Sequence, residues 1–410
     1  MRIAGAIVAS LLAIACSRGS ASLEPPDAPA SPQAKAVPAQ LANVPQIAAS
    51  GVLLVSVDAG PPPTPLRGDV AVPADSPGSK ELVGYSLEAV LRPADVPPPS
   101  KAPEVSLPSL ESARKKSEPR MEIDISATRA RIALVSGFVL PADTELRARV
   151  DRYGFFLVTP SSTTYRTAAP GTLRALLGER RLDVAPLSPA DLAPRGDGPR
   201  RFGFRTRKVE IVTRAANATF EIAHMPDAGD GGALVCRALL DLVNAPPSSP
   251  LCGWEDVPVH ADLRWTTHGS LAFDVLSVTR RTDLSPHVLA APPSGAGFLA
   301  TPPPPSPGES WLTTSELAAL RTQPVDVGPD AGADPALGLV LVNATDELRV
   351  AWLDGVPAAW VAPGARIAVP GLLKGRYSIA WRTFLGDITD APETITVPGT
   401  SRIGSEDGGL

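Results

Sequence analysis

Few side chains in this sequence combine the type and the spacing that chemistry needs. His260 and Asp262 stand two apart in the alternating stretch VPVHADLRWTTHGSLAFDVLSV, so on a strand both project from one face, as an imidazole and a carboxylate must to share a proton. His268 falls on the same face, but about eight residues of strand put it roughly 26 Å from His260, too far for one metal ion. His224 and His287 have no partner at motif spacing. A solvated sheet face is the plain reading of His260 and Asp262; a site completed by groups distant in sequence is the sharper one. The stretch DAGDGG from Asp227 has the content of a calcium loop without its full spacing. Asp-Ala-Gly also occurs at Asp58 and Asp330, which fits a favoured turn tripeptide. No G-x-S-x-G, H-E-x-x-H, phosphate-loop or C-x-x-C pattern is present, so neither a catalytic residue nor a metal or other cofactor is assigned.

Two further groups of residues bear on binding and stability. Trp352, Trp360 and Trp381 fall in short C-terminal strands, where exposed aromatics on a rigid sheet would stack on sugars or anchor a protein. Val350 shares a face with Trp352, and Tyr377 and Ile379 with Trp381, which is also how a sandwich core is filled. Cys236 and Cys252 flank a helical piece, Ala233 to Val243, and its Pro-rich return. A disulfide between them would stabilise by about 3 kcal/mol on the chain-entropy model, whereas a metal site or redox dithiol lacks neighbouring ligands and close spacing.

The third cysteine, Cys16, closes the one long apolar run. Arg2 supplies a positive start, Ile3 to Ala15 is apolar, and small residues follow, the layout of a secretory signal peptide. Leu12-Ala13-Ile14-Ala15-Cys16 resembles a bacterial lipoprotein box, which implies lipidation of Cys16 and leaves the other two cysteines as a pair in an oxidising compartment. Ordinary cleavage after Ala15 and an uncleaved anchor are the alternatives. The resemblance implies a lipid bilayer as partner, reached through acyl chains on the new amino terminus. By resemblance to well-studied envelope sorting, Ser17 in place of Asp implies the outer membrane rather than the inner.

The 410 residues exceed what one hydrophobic core usually serves, and 47 Pro with 34 Gly punctuate the chain. A net charge of −5 without a basic block excludes a nucleic-acid surface. The expected organisation is a signal peptide at 1–15, a Pro/Ala-rich tether at 16–48 and a β-rich domain at 49–300 with Pro-rich internal loops. A linker with a short helix follows at 301–336, then a small β-sandwich at 337–399 and a flexible tail at 400–410. Period-two segments predict strands in GVLLVSV, ELVGYSLEAVL, MEIDIS, ARIALVSGFVL, ELRARVDRYGFFLVT, FGFRTRKVEIVT and ATFEIAH. Short helices are predicted near Thr172, at Ser188 with Pro189 in the first turn, and at Thr313, where Thr313 and Glu316 form a capping box.

About six strands in the last part are separated by turn signals at Asp354-Gly355 and Pro363-Gly364. Through LDGVP, VAPG and LLKGRYSIAW this part resembles the PEGA-like sandwich modules of bacterial envelope proteins, a resemblance that implies fold more than function. The fold class expected is therefore mainly β, a β-rich domain with a few short helices plus a small C-terminal β-sandwich. The function expected is an envelope lipoprotein that binds or scaffolds protein or polysaccharide. An envelope hydrolase with a site assembled from distant residues is the alternative.

Overall fold

The structure is a computed structural model that describes residues 72–94, 105–136, 143–152, 154–168, 188–246, 248–266, 269–299, 306–321 and 338–404. Cys16 and the segments before it, the tether, the strand expected at Gly51 to Val57, the helix expected near Thr172 and His268 lie outside the described residues. All described residues belong to one compact unit, Gly60–Leu410.

The fold is mainly β, as the alternating patterns require. Twelve strands come first: β1 (Leu82–Pro93), β2 (Arg120–Ser126), β3 (Arg129–Ser136), β4 (Glu145–Arg149), β5 (Phe155–Thr159), β6 (Thr164–Ala168), β7 (Asp191–Asp197), β8 (Thr206–Val212), β9 (Ala216–His224), β10 (Asp256–Trp265), β11 (Gly269–Leu284) and β12 (Gly297–Phe298). They form a single sheet in the order β12-β6-β5-β4-β3-β2-β1-β11-β10-β9-β8-β7. Its pairings are antiparallel except the short β12–β6 contact.

Among the described residues three α-helices accompany the strands: α1 (Leu107–Ser117), α2 (Gly231–Leu242) and α3 (Thr314–Ala318). The α2 helix touches β2, β3 and β4 from one half of the sheet and β10 from the other, so the sheet curves around it. The sequence predicts an amphipathic helix, but all of α2 except Ala233 and Arg237 is buried, as expected of a helix wrapped by a sheet rather than laid on one. Leu234, Val235 and Leu239 join Ile125, Ile132, Phe220, Val257 and Leu263 in the main core. Burying each side chain of this size contributes about 1.5–3 kcal/mol. At the entry to α2, a Cβ on Gly231 would lie 2.1 Å from the Ser126 carbonyl oxygen, and one on Gly232 equally close to that of Asp256. Only glycine lets the helix start between these strands. The Cys236–Cys252 disulfide then ties α2 to the loop that follows it.

The remaining strands are β13 (Gly308–Ser310), β14 (Leu339–Asn343), β15 (Arg349–Leu353), β16 (Val356–Val361), β17 (Arg366–Val369), β18 (Gly375–Arg382), β19 (Glu393–Val397) and β20 (Gly399–Ile403). They make a five-stranded sheet, β13-β16-β15-β18-β19, and a three-stranded sheet, β17-β14-β20, packed as a small sandwich over Leu339, Leu341, Leu353, Ile379 and Trp381. Asp354 and Gly355 take φ of 50° and 80° between β15 and β16, the paired positive angles that a two-residue hairpin turn needs.

Several local expectations change. Residues 400–403, expected in a flexible tail, belong to β20, which pairs in parallel with β14. The stretch expected as linker contributes β13 and α3 to the sandwich, and α3 carries the expected capping box between Thr313 and Glu316. No helix begins at Ser188: its hydroxyl accepts from the backbone of Arg214, its amide donates to Asn244, and the chain runs into edge strand β7, where Pro194 is tolerated. The charged ESARKKSEPR stretch, not predicted to be helical, forms most of α1. Only Ser109 and Ala113 of α1 are buried, so it shows almost no apolar period, and Arg114, Lys115 and Lys116 favour its C-terminal end.

Candidate binding crevice

The sandwich does not stand apart from the large sheet. Along β15, alternate residues take opposite routes: Ala351 and Leu353 fill the sandwich interior, while Val350 and Trp352 belong to the core shared with the large sheet. Trp360, the cross-strand partner of Val350, lies in that shared core with them. The expectation that Val350 and Trp352 fill the sandwich core is thus corrected. Period two is obeyed, but both faces of the five-stranded sheet are covered, so neither reads as polar.

Where this sheet meets the end of β1, the start of β11 and the C-terminal end of α1, a crevice of about 220 Å³ opens. Trp311, Trp352 and Phe384 supply aromatic walls, with Pro93, Pro119 and Pro357 beside them. The guanidinium of Arg382 stacks over the Trp352 ring at 4.8 Å and fixes it in place.

Three charged groups line the same crevice: Arg92 from β1, Arg114 from α1 and Glu118 just past the end of α1. Burial pushes the Glu118 carboxyl above its ordinary value, and the positive charges of Arg92, Arg114 and Arg120 only partly offset this. Among the described residues no hydrogen bond or ion pair reaches the carboxylate of Glu118 or the guanidinium of Arg114. Arg92 is held on one side only: its Nη2 lies 3.0 Å from Asp274 Oδ2, while its Nε is buried without an acceptor among the described residues.

Arg92 also connects the crevice with the histidine singled out by spacing. His260 Nδ1 lies 2.6 Å from Asp274 Oδ1, and His260 Nε2 lies 3.5 Å from Asp262 Oδ2. Strand register explains the grouping, because His260 and Asp274 are direct cross-strand partners on β10 and β11, and Asp274 is also opposite Val90 on β1, two residues from Arg92. The structure therefore brings His260 and Asp262 together with Asp274, which sequence spacing alone does not indicate.

The other candidates separate cleanly. Trp352 lines the crevice, whereas Trp360 and Trp381 are 3% and 4% exposed and offer no platform. Trp381 Nε1 donates to Ser401 Oγ at 3.0 Å inside the sandwich. Asp227 takes a positive φ in its turn and pairs with Arg280, in keeping with the turn reading of DAGDGG. His224 faces Glu255 at 3.5 Å, and the carbonyl of His287 accepts from Arg147 at 3.2 Å. Among the described residues no three His, Cys, Asp or Glu side chains are grouped to hold a metal ion. No described helix is long and apolar enough to cross a membrane.

No protein-family model matches this chain, and no curated protein does. Among solved structures, that of PNGF-II in space group C2 aligns with 53% of this chain and 30% of that one, at 8% identity and a TM-score of 0.26. A similarity this slight does not bear on function.

Proposed function

We propose that this chain is a cell-envelope lipoprotein, held at the outer membrane through acyl chains on Cys16, whose β-rich body is a binding module with the crevice as its ligand site. The PEGA-like resemblance of the sandwich supports an envelope setting. One observation carries the binding reading. Two guanidiniums and a half-buried carboxyl converge beside Trp352, and among the described residues Glu118 meets Arg92, Arg114 and Arg120 through charge alone, without a hydrogen bond. A carboxyl whose burial is only partly offset lowers stability, and a ligand that completes its surroundings restores it.

The test is retention of envelope components on the detergent-solubilised full-length protein, compared with Trp352→Ala. A component held by the wild type and lost by the variant supports the reading; identical retention by both defeats it. Intact mass of the mature protein checks the anchor, where a free thiol at Cys16 would refute lipidation. The contact between His260 and Asp274 favours a second reading, an envelope hydrolase that uses His260 as base, oriented by Asp274. Turnover of an ester or glycoside substrate that disappears in His260→Gln would support it over binding alone.

A further inference from the structure

We infer that the crevice takes one ring of an acidic saccharide, its carboxylate on Arg92 and Arg114 and its ring face against Trp352. This rests on the binding reading above and names its ligand class. Size limits the occupant, since about 220 Å³ is below the usual range for drug-sized ligands and suits a single sugar unit. Charge selects its sign: Arg92, Arg114 and Arg120, all close enough to act on Glu118, outnumber Glu118 and Asp274, and Asp274 engages Arg92 through Nη2. Planar guanidinium forks match a carboxylate, and the Arg92 side chain, held by Asp274 at Nη2, is still 41% exposed. Rigid aromatic walls add a flat apolar surface for the face of a sugar ring, at little entropic cost. Glu118 is placed to bond ring hydroxyls, donating when protonated and accepting when charged.

The experiment is calorimetric titration of the full-length protein in detergent with a galacturonic acid trimer, with maltotriose as the neutral control and inorganic phosphate as a simple anion. Binding of the acidic trimer in preference to both controls is expected. Arg114→Gln should weaken it roughly tenfold, as losing one charge-assisted hydrogen bond does. Trp352→Ala should abolish it, with Trp352→Phe restoring part of the affinity should the alanine variant fail to fold. Equal affinity for maltotriose, preference for phosphate, or no change in Arg114→Gln overturns the inference. If an envelope component is retained through Trp352 yet the acidic trimer does not bind, only the ligand class fails. If neither is seen, the binding reading falls with it.

Discussion

The outer face of β2 to β4 and the crevice are built from the same residue types but handle charge in opposite ways. On the strands, Asp124 accepts from Ser86 and pairs with Arg131 at 2.9 Å, and Arg131 donates through Nε to Glu145 at 2.8 Å. Glu145 also accepts from Arg147 Nε at 2.7 Å and pairs with its Nη2 at 2.5 Å, while Arg147 Nη1 donates to the carbonyls of His287 and Ala290. Beside this ladder Asp75 holds Arg129 and Arg149 together. Register sets Asp124 opposite Arg131, but it also sets Arg129 opposite Arg149 and Arg131 opposite Arg147, and Asp75 and Glu145 bridge those two arginine pairs, so each charge meets its complement before any ligand arrives. In the crevice, Arg114 and Glu118 come from the end of a helix and the turn after it, where no register supplies a bonded partner and charge only partly offsets the burial of Glu118. Charges tied by hydrogen bonds mark architecture; charges without them beside aromatic walls mark a place for something else.

The comparison is broken most severely by unmatching a buried pair. Arg321 and Asp354 are bonded at 2.7 Å with side chains 5% and 2% exposed, and Arg321 also lies 3.7 Å over the ring of Tyr377. Asp354→Asn keeps a residue that tolerates the positive φ of the turn yet leaves the guanidinium uncompensated. It should cost on the order of 3 kcal/mol in chemical denaturation. A change below about 1 kcal/mol would mean that the pair is no better matched than a surface one.

Asp75→Asn comes next, at about 2 kcal/mol, the scale of a charged hydrogen bond lost in a buried place. Burial alone would raise the Asp75 carboxyl, but its bonds to Arg129 and the Ala291 amide, together with the charge of Arg149, hold it below the usual carboxylate range. Its stabilisation is therefore present above the unfolded value of 3.8 and is lost as pH falls through the lower folded one. Denaturation midpoints measured from neutral to strongly acid pH should converge for wild type and variant at the acid end.

Most strands of the large sheet were readable because their apolar periods match the face each buries, and α2 because its apolar run is long enough for a helix, although it is buried nearly all round. Val257, Ala261 and Leu263 are all fully buried, with Asp262 and Arg264 turned out between them. The α1 helix was not readable, since it is held by Glu316 and two buried small residues rather than by an apolar stripe. Trp352 was visible as an aromatic on a strand, but nothing local shows that its sheet is covered on both sides. Of the crevice charges, only proximity in space groups Arg92, Arg114 and Glu118: they sit at the ends of β1 and α1, and no spacing rule links a strand end to a helix end across a Pro-rich loop.

Two glutamates beside the C-terminal half of α1, Glu316 against Ser112 and Lys116 and Glu118 just past its end, behave differently, and the second should give the smallest effect of all. Glu316 is matched: the Lys116 ammonium, the Ser112 hydroxyl and the Thr313 amide hold it at about 2, well below its unfolded 4.5. Its contribution is complete above 4.5 and disappears as pH falls through about 2, and Glu316→Gln should cost about 1 kcal/mol at neutral pH, the scale of a helix cap. Glu118 runs the other way. Because burial raises its carboxyl, ionisation costs the folded state stability as pH rises through 4.5, and that cost reaches its full value above the raised folded pKa. Glu118→Gln should therefore raise the denaturation midpoint slightly at neutral pH, with the difference from wild type shrinking to nothing in acid. A loss of stability in Glu118→Gln, of the kind expected for Glu316→Gln, would show that the crevice carboxyl is matched after all and that its surroundings are architecture like the sheet face.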